Sequence, residues 1–205
     1  MIKPLFITFE GPEGSGKTSV IQHLHKQLLA LGHDVLVTRE PGGVKISEEI
    51  RNILLDNQNL GMDKKTEALL FAAARRQHVI EVIQPALEAG KMVLCDRYID
   101  SSLAYQGHAR EIGIEEVYQL NLFAIESLMP DLTLFIDVKP EVGLERVRHN
   151  QRSMDRLDNE TISFHQKVYE GYMKIAEIEP DRIKILNGNQ SIEDVVEQAL
   201  KHILS

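Results

Sequence analysis

One eight-residue stretch near the start of the chain constrains its fold and chemistry more than any other feature. Residues 11–18 match the pattern G-x-x-x-x-G-K-[ST] at all four fixed positions. The apolar, β-prone run 5–9 comes directly before them, and apolar residues recur at helical spacing from 20 to 31. A strand, a glycine loop and a helix are the context in which this pattern binds phosphate. The candidate phosphate-binding residues are Gly11, Pro12, Glu13, Gly14, Ser15, Gly16, Lys17 and Thr18.

The chemistry of this loop follows from its glycines and from its place at a helix N-terminus. Glycine lets the backbone curl so that successive N–H groups point into a concave anion site, and the helix dipole adds partial positive charge. Lys17 is then placed to reach the β- and γ-phosphates of a nucleotide, and the Thr18 hydroxyl to hold Mg²⁺. The alternative, an ordinary glycine turn between strand and helix, needs neither Lys17 nor Thr18.

Composition narrows the possible partners and the compartment. A chain of 205 residues is long enough for one domain with a real core, and we expect a single domain over 1–205. With 23 basic against 31 acidic residues, the net charge of -8 argues against nucleic acid or an anionic membrane as the main partner. The single cysteine, Cys95, fits a reducing compartment. Since no signal-peptide pattern or apolar stretch of about twenty residues occurs, we expect a soluble cytoplasmic protein.

Strand and helix patterns alternate five times along the chain. This alternation predicts an α/β fold, a three-layer, doubly wound, five-stranded parallel sheet of the P-loop NTPase type. The predicted strands are 5–9, 34–38, 92–95, 132–137 and 183–186.

Two helices are predicted between the second and third strands. In the first, Ser47 is a plausible N-cap and Ile53 faces inward. In the second, over 66–89, Leu69 and Ala73 are assigned to the core.

Several polar residues follow predicted strands at the sheet edge where open α/β sheets bind ligands. Asp96 ends an apolar strand downstream of the phosphate loop, which favours a Mg²⁺-holding carboxylate over a strand-end cap. The loop at 39–43 lies at the end of the second strand, and the polar stretch at 100–110 is expected to line a cleft. Arg51, considered by itself, is predicted to lie on the solvent-exposed side of its helix.

A run of arginines follows the predicted fourth strand. Arg148, Arg152 and Arg156 are four residues apart, so a continuous helix would stack them on one face. One interpretation is a solvated basic face paired with nearby carboxylates. The other is a lid over about 146–160 that closes on the phosphates, since arginine planes match phosphate geometry. We favour the lid.

The assembled motifs resemble those of the bacterial thymidylate kinases, over about 7–203. Three stretches carry the resemblance, namely 9–18, 38–43 and 96–107. The resemblance implies transfer of phosphate from Mg²⁺-ATP to dTMP, giving dTDP, by an enzyme that works as a homodimer.

The resemblance also implies roles for individual residues on the acceptor side. Glu13 would contact the sugar 3′-hydroxyl, and Arg97 would bind the acceptor phosphate with help from Arg51. Phe71 would stack on thymine, and Arg75, one helical turn later, would bond its edge. The remaining implied dTMP contacts are Ser102 and Gln106 at the base, Tyr105 near the 2′ position, and Arg39 and Glu40 in the acceptor-side loop.

Family members supply a catalytic arginine from the phosphate loop or from the lid. Because the loop here has no arginine, the chain resembles the lid-arginine type, with Arg156 the favoured residue and Arg152 the next. The implied catalytic set is therefore Lys17, Arg97 and one lid arginine, with Arg148 the third candidate after these two.

Three other functions remain open at this stage. The first is a kinase for another nucleoside or nucleotide, which activity across dTMP, dUMP, dCMP and thymidine would distinguish. The second is a GTP-binding switch, which the absence of N-K-x-D and D-x-x-G stretches disfavours. The third is an ATPase assembling on a partner, which ATP turnover without an acceptor would favour.

Overall fold

A sheet of five parallel strands forms the middle layer of the fold. The structure is a computed structural model that describes residues 4–149 and 154–204. The strand order is β2-β3-β1-β4-β5, so β1 is central and the chain winds outward in both directions from it. The predicted α/β parallel sheet is confirmed. The strands are β1 (Phe6–Glu10), β2 (Val35–Arg39), β3 (Met92–Asp96), β4 (Leu132–Asp137) and β5 (Ile183–Asn187).

Helices cover both faces of this sheet. Two π-helical stretches, Val79–Ile83 and Leu103–Ala109, continue the helices that precede them. In the described parts of the chain, no helix is both long and apolar enough to cross a membrane. The α-helices are α1 (Lys17–Ala30), α2 (Lys45–Leu55), α3 (Lys64–His78), α4 (Gln84–Glu88), α5 (Ile99–Ser102), α6 (Ile114–Ile125), α7 (Pro140–His149), α8 (Ile162–Ile178) and α9 (Ile192–Ile203).

The core consists of two apolar clusters, one on each face of the sheet. Alternate side chains of β1 point to opposite faces, so that Phe6 belongs to one cluster and Ile7 to the other. Helices α3, α6 and α8 cover the first face, and α1 and α9 cover the second. Burial on both faces explains why the strands read as nearly continuous apolar runs.

Some details of α2 and α3 differ from the sequence-based expectation. Helix α2 begins at Lys45, and Ser47 lies inside it, where its buried hydroxyl donates to the Ala74 carbonyl at 2.7 Å. The core assignments of Ile53, Leu69 and Ala73 are wrong, because all three side chains are exposed. The apolar pattern of these helices is broader than the face that they bury.

A close backbone contact joins the phosphate-binding loop to α7. A Cβ built on Gly143 would lie 2.1 Å from the Glu13 carbonyl oxygen, and one built on Gly14 would lie 2.0 Å from the Gly143 carbonyl oxygen. Real Cβ atoms do not approach so closely, so α7 rests against the loop only because both positions are glycine.

We expect Gly143→Ala to lower the free energy of unfolding by about 1–3 kcal/mol, since the added methyl group overpacks a rigid backbone contact. Urea unfolding followed by circular dichroism measures the change. Gly61→Ala is the matched control, because a Cβ there meets nothing within 4 Å. Equal stability of the two variants would contradict the tight contact.

Candidate active site

A cavity of about 750 Å³ opens at the carboxyl edge of the sheet, beside the phosphate-binding loop. Its walls come from the loop and α1, from the ends of β2 and β3, and from α2, α3, α7 and α9. The structure therefore brings most of the predicted site residues to one place. Those that line the cavity are Glu13, Gly14, Ser15, Gly16, Lys17, Thr18, Arg39, Glu40, Arg51, Phe71, Arg75, Asp96, Arg97, Ser102, Tyr105 and Gln106.

Lys17 is held over the loop by the loop itself. Its Nζ donates to the carbonyl oxygens of Gly11 and Pro12, both at 3.0 Å, and to Ser15 Oγ at 3.3 Å. Burial, assisted by the nearby Arg97 charge, lowers the pKa of Lys17 to about 8. These bonds place a cation at the start of α1, where the helix dipole also favours an anion.

A hydroxyl and a carboxylate meet next to Lys17. Thr18 Oγ1 donates to Asp96 Oδ2 at 3.0 Å, because β1 and β3 are neighbours in the sheet. Among the described residues, no group of three or more His, Cys, Asp or Glu side chains could hold a metal. One carboxylate and one hydroxyl oxygen are hard ligands that suit Mg²⁺, which keeps several waters and takes further oxygens from phosphate.

Arg97 is one of the cationic residues that line the cavity. Its backbone is in the left-handed region, with φ 70°, directly after β3. Its guanidinium donates to Glu13 at 2.5 Å, to Ser101 Oγ at 3.1 Å and to the Tyr172 hydroxyl at 3.0 Å. The left-handed turn directs the side chain back across the loop, so the cation is fixed before any ligand arrives.

Glu10 supports Arg97 from below, and the sequence analysis assigned it no role. The buried Glu10 carboxylate accepts hydrogen bonds from the Tyr98 N–H at 2.8 Å, from Ser101 Oγ at 2.6 Å and from the Tyr172 hydroxyl at 2.9 Å. Ser101 and Tyr172 also accept from Arg97. Burial, and then the Asp100 charge, raise the pKa of Glu10 to about 7. The sequence signal that could have indicated the role of Glu10 is its place as an acidic residue at the end of a buried strand.

Arg75 lines the cavity from α3 and is almost completely buried. Its Nε donates to Glu40 at 2.7 Å, and its terminal nitrogens donate to Ser102 Oγ at 3.0 Å, the Tyr98 carbonyl at 2.9 Å and Asn121. Four of its five N–H groups are therefore used by the protein itself, which fixes the guanidinium plane.

Glu40 is the counter-charge that makes the burial of Arg75 possible. It also bonds His78 Nδ1 at 3.0 Å, whose other ring nitrogen bonds Thr38 Oγ1 at 2.6 Å. Burial alone would raise the pKa of Glu40, but Arg75 and His78 hold it below its usual value. His78 and Asn121 were missed by the sequence analysis, since a polar residue on a helix usually indicates a solvated face.

Arg39 and Arg51 form a second cationic pair at the cavity rim. Both donate to the Pro41 carbonyl at 2.8 Å, and Arg39 also pairs with Glu48 at 2.8 Å. Burial, and then the Arg39 charge, lower the pKa of Arg51. Arg51 is therefore not a solvated surface residue, and two neighbouring cations create an attractive position for an anion.

The lid residues do not follow the predicted helical stack. Helix α7 is described as far as His149, and the described segment 154–160 contains turns and no helix. Arg146 lines the cavity beside the Gly188 carbonyl, Arg148 is exposed, and Arg152 lies outside the described residues. The expectation of three arginines on one helix face is therefore wrong.

Arg156, the residue favoured as the catalytic arginine, is not among the residues that line the cavity. Its buried guanidinium donates to Glu67 at 2.6 Å and to the Leu54 carbonyl at 2.7 Å. In this arrangement two of its three guanidinium nitrogens, Nε and Nη2, are bound within the protein, and the side chain is buried away from the cavity lining.

An all-parallel sheet with a phosphate-binding loop after its central strand, and a cavity lined by several cations beside that loop, is the arrangement of a P-loop NTPase fold. A family model described as thymidylate kinase matches residues 9–199. The chain belongs to the thymidylate kinase family.

Individual relatives agree with this assignment. The thymidylate kinase of Oceanobacillus iheyensis is 58% identical over 202 residues, which are 98% of this chain and 89% of the relative. That of Shouchella clausii is 56% identical over 204 residues, 99% of this chain and 96% of the relative. The crystal structure of thymidylate kinase from Ehrlichia chaffeensis superposes with a TM-score of 0.80 at 34% identity, covering 98% of this chain and all of that one.

The raised pKa of Glu10 predicts how the free energy of unfolding depends on pH. Its folded pKa, about 7, lies above the ordinary 4.5, so its contribution to stability is fully present below pH 4.5 and is lost as the pH rises through 7. We expect the stability of wild type relative to Glu10→Gln to fall by a few kcal/mol between pH 5 and 8. Urea unfolding of both proteins across this range measures it, and parallel curves would contradict the assignment.

Proposed function

We propose that the cavity holds ATP and dTMP at its two ends and transfers the γ-phosphate between them, giving dTDP. Phosphorylation of dTMP to dTDP is the reaction of the thymidylate kinase family, to which this chain belongs. The observation that supports the site is that Lys17 in the loop, Arg97 after β3 and the buried Arg75 all line the same cavity. Two anions can bind there with their phosphates facing each other.

On the donor side, we assign the phosphates of ATP to the loop at residues 11–18. The loop N–H groups and Lys17 would bind the β- and γ-phosphates, and Thr18 with Asp96 would hold Mg²⁺. A bound Mg²⁺ would neutralise part of the phosphate charge. Arg146 and the neighbouring Gly188 line the same end of the cavity, which supports a site for the nucleoside part of ATP there.

On the acceptor side, we assign the dTMP phosphate to Arg97, with Arg39 and Arg51 at the rim. Glu13 and Tyr105, which both contact the Arg97 group, would bind the sugar. Phe71 would stack on the base, and Arg75, Ser102 and Gln106 would contact its polar edge. Glu40 would hold Arg75 in place through their hydrogen bond.

The reaction does not require the protein to form a covalent bond with the transferred phosphoryl group. Phosphoryl transfer passes through a transition state whose charge is spread over the moving group, so fixed cations and correct alignment supply most of the catalysis. Lys17 and Arg97 are held by the protein before substrates bind, and a closed lid would exclude water as the competing acceptor.

We assign the lid arginine to Arg152. The sequence analysis placed Arg156 first, but its guanidinium is bound to Glu67 and to the Leu54 carbonyl. Arg152 ranked next among the three lid arginines, and the third, Arg148, is exposed on α7 and does not line the cavity.

We also propose that the enzyme is a cytoplasmic, single-domain homodimer that uses α3 and α6 as its interface. Leu69 and Ile80 on one side and Phe123 on the other are exposed apolar residues, with Phe123 87% exposed. Arg76 links the two helices through the Ala124 carbonyl and Glu126, so these apolar residues share one surface. Such a surface is typical of a protein interface.

Base selection is the sharpest test of the acceptor site. Thymine offers O4 as an acceptor where cytosine offers an amino donor, so a fixed Arg75 donor is left unmatched by dCMP at a cost of about 1–3 kcal/mol. We expect a strong preference for dTMP over dCMP and a weaker one over dUMP, and Arg75→Ala should reduce the first preference more. ADP release with the three nucleotides gives kcat/KM for each.

Arg75→Lys is the matched control, because it keeps a charge beside Glu40 without the planar fork. An unchanged dTMP-to-dCMP ratio in both variants would show that Arg75 does not select the base, and higher activity on another nucleotide would change the proposed acceptor.

The lid assignment predicts that Arg152→Ala lowers kcat strongly, within the ~10³–10⁵ range of transition-state arginines, with little change in either KM. Arg156→Ala should lower kcat far less and lower the melting temperature more, since it removes a buried partner of Glu67. Steady-state kinetics and thermal unfolding of both variants decide between them; the reverse pattern would restore Arg156 as the catalytic residue.

The interface assignment predicts that Phe123→Glu converts the protein from dimer to monomer, since a charge in an apolar interface is costly to desolvate. Sedimentation equilibrium measures the mass. Ile178→Glu is the matched control: Ile178 on α8 is another exposed apolar residue, outside the proposed interface, and its substitution should leave the dimer intact. A dimer that survives Phe123→Glu would place the interface elsewhere.

A further inference from the structure

A row of four polar side chains connects β2 to the buried Arg75. Thr38 Oγ1 lies 2.6 Å from His78 Nε2, and His78 Nδ1 lies 3.0 Å from Glu40 Oε1. The other oxygen of Glu40, Oε2, accepts from Arg75 Nε at 2.7 Å. Arg75 and Glu40 line the cavity, whereas His78 is completely buried and does not. His78 can therefore act on a ligand only through the other members of the row.

The Glu40 carboxylate is divided between two partners. Oε2 accepts from Arg75 and Oε1 accepts from His78, which lies three residues later on the same face of α3. The Glu40 backbone is fixed opposite them, because its N–H donates to the Asp96 carbonyl at 2.9 Å. This arrangement differs from the common arginine–carboxylate pair, in which both oxygens bind one guanidinium through two parallel bonds.

The divided carboxylate leaves one N–H group of Arg75 without a partner in the part of the chain that the structure describes. Nη1 donates to Ser102 Oγ and to Asn121, and Nε uses its one hydrogen for Glu40. Nη2 has two hydrogens and donates to one acceptor, the Tyr98 carbonyl at 2.9 Å. Since Arg75 lines the cavity, the second hydrogen of Nη2 is the donor that is left for a ligand.

The guanidinium of Arg75 is not free to turn and offer another hydrogen. The Tyr98 ring packs on its face, with its centroid 5.1 Å from Arg75 Cζ. Asn121 is itself held by the bond from its Nδ2 to the Val117 carbonyl at 2.8 Å, so its amide oxygen faces Arg75. The number of donors that reach the cavity therefore depends on what Glu40 does.

An unrestrained Glu40 carboxylate would take the remaining hydrogen of Arg75. A carboxylate that faces Nε forms its second parallel bond to Nη2, the nitrogen on the same side of the guanidinium, when both of its oxygens are free. A rotation of the carboxylate is enough to reach this arrangement. In this chain His78 holds Oε1 and so opposes the rotation. His78 thereby keeps Nη2 available.

His78 is fixed in the orientation that this role requires. Burial alone would raise the pKa of Glu40, but Arg75 and then His78 hold it below its usual value, so the carboxylate stays ionised. An ionised carboxylate only accepts, so His78 Nδ1 must carry the hydrogen between them. Thr38 bonds the other ring nitrogen, and a Cβ on Gly43 would lie 2.8 Å from His78 Cδ2 and Nε2. The ring therefore has no space to swing away from Glu40.

We infer that His78 is a positioning residue for base selection, which holds one oxygen of Glu40 and so keeps one N–H of Arg75 free for the base of the acceptor nucleotide. His78 contacts no reacting atom. The base that fits this N–H is a planar ring with a carbonyl oxygen, as at C4 of thymine and of uracil, whereas the amino group of cytosine presents a second donor. The inference rests on the proposed dTMP site.

The test measures kcat/KM of the full chain for dTMP, dUMP and dCMP, by ADP release at saturating Mg²⁺-ATP. Two substitutions separate the ring nitrogens of His78, because the amide nitrogen of Asn lies near the position of Nδ1 and that of Gln near Nε2. We expect His78→Gln, which can bond Thr38 but not Glu40, to lower the dTMP-to-dCMP ratio by about fivefold or more. His78→Asn keeps a donor toward Glu40 and should stay within about twofold of the wild-type ratio.

Two comparisons separate this role from a merely structural one. The dTMP-to-dUMP ratio should stay unchanged in both variants, because both bases present a carbonyl at C4. His78→Asn leaves the larger cavity, so it should have the lower melting temperature although it keeps the selectivity. Ser47→Ala is the matched control, since it removes a buried bond to the Ala74 carbonyl of α3 without touching Glu40, and it should keep the wild-type ratios.

A measurement on the wild type keeps the inference testable if the His78 variants do not fold. Nitrogen-15 NMR of the full chain, labelled at its histidines and assigned along the backbone, reports which ring nitrogen of each histidine carries a hydrogen. We expect a hydrogen on Nδ1 of His78. A hydrogen on Nε2 alone overturns the inference, because Nδ1 would then have nothing to donate to Glu40.

The outcomes separate this inference from the proposed function. A wild type that does not phosphorylate dTMP overturns the proposed function itself. A wild type that phosphorylates dTMP, together with a His78→Gln protein that keeps the full dTMP-to-dCMP ratio, overturns only the inference. An equal loss of this ratio in His78→Gln and His78→Asn, or in Ser47→Ala, also overturns it, because the packing of α3 and not the bond to Glu40 would then set the selectivity.

Discussion

The parallel pairing of β1 with β3 is the constraint on which the site depends. The register places Phe9 beside Asp96, and the Arg97 N–H donates to the Phe9 carbonyl at 3.0 Å. Both strands end at this edge, so the glycine loop that follows one strand and the arginine turn that follows the other must meet. A slip of one residue would point every side chain of β3 to the opposite face and separate Asp96 from Thr18.

Compensated charge then fixes the groups that this pairing brings together. Arg97 is held by Glu13 and indirectly by Glu10, and Arg75 is held by Glu40, all within the protein. A cleft for two anionic substrates therefore exists in a chain whose net charge is -8. Because the cations are fixed before ligands arrive, little reorganisation is left for the moment of transfer, which is the basis of electrostatic catalysis.

How well the sequence predicts each part of this arrangement depends on how far apart along the chain the interacting residues lie. The glycine loop and the buried strands are specified by local patterns, and the predicted five-strand order of elements is confirmed. Glu67 could not be assigned in the same way, because its partners lie 39 to 89 positions away along the chain. The stacking expected for Arg148 and Arg156 assumed a continuous helix, and α7 ends between them.

Arg156 illustrates why spacing alone could not separate a catalytic arginine from an anchoring one. The same planar fork that suits a phosphate also suits a carboxylate with a carbonyl beside it, so both roles select the same residue type. What distinguishes them is whether another group has already taken the fork, and only the folded chain contains that information. Here the Leu54 carbonyl accepts from Nε and Glu67 accepts from Nη2, so two of the three guanidinium nitrogens already have partners within the protein.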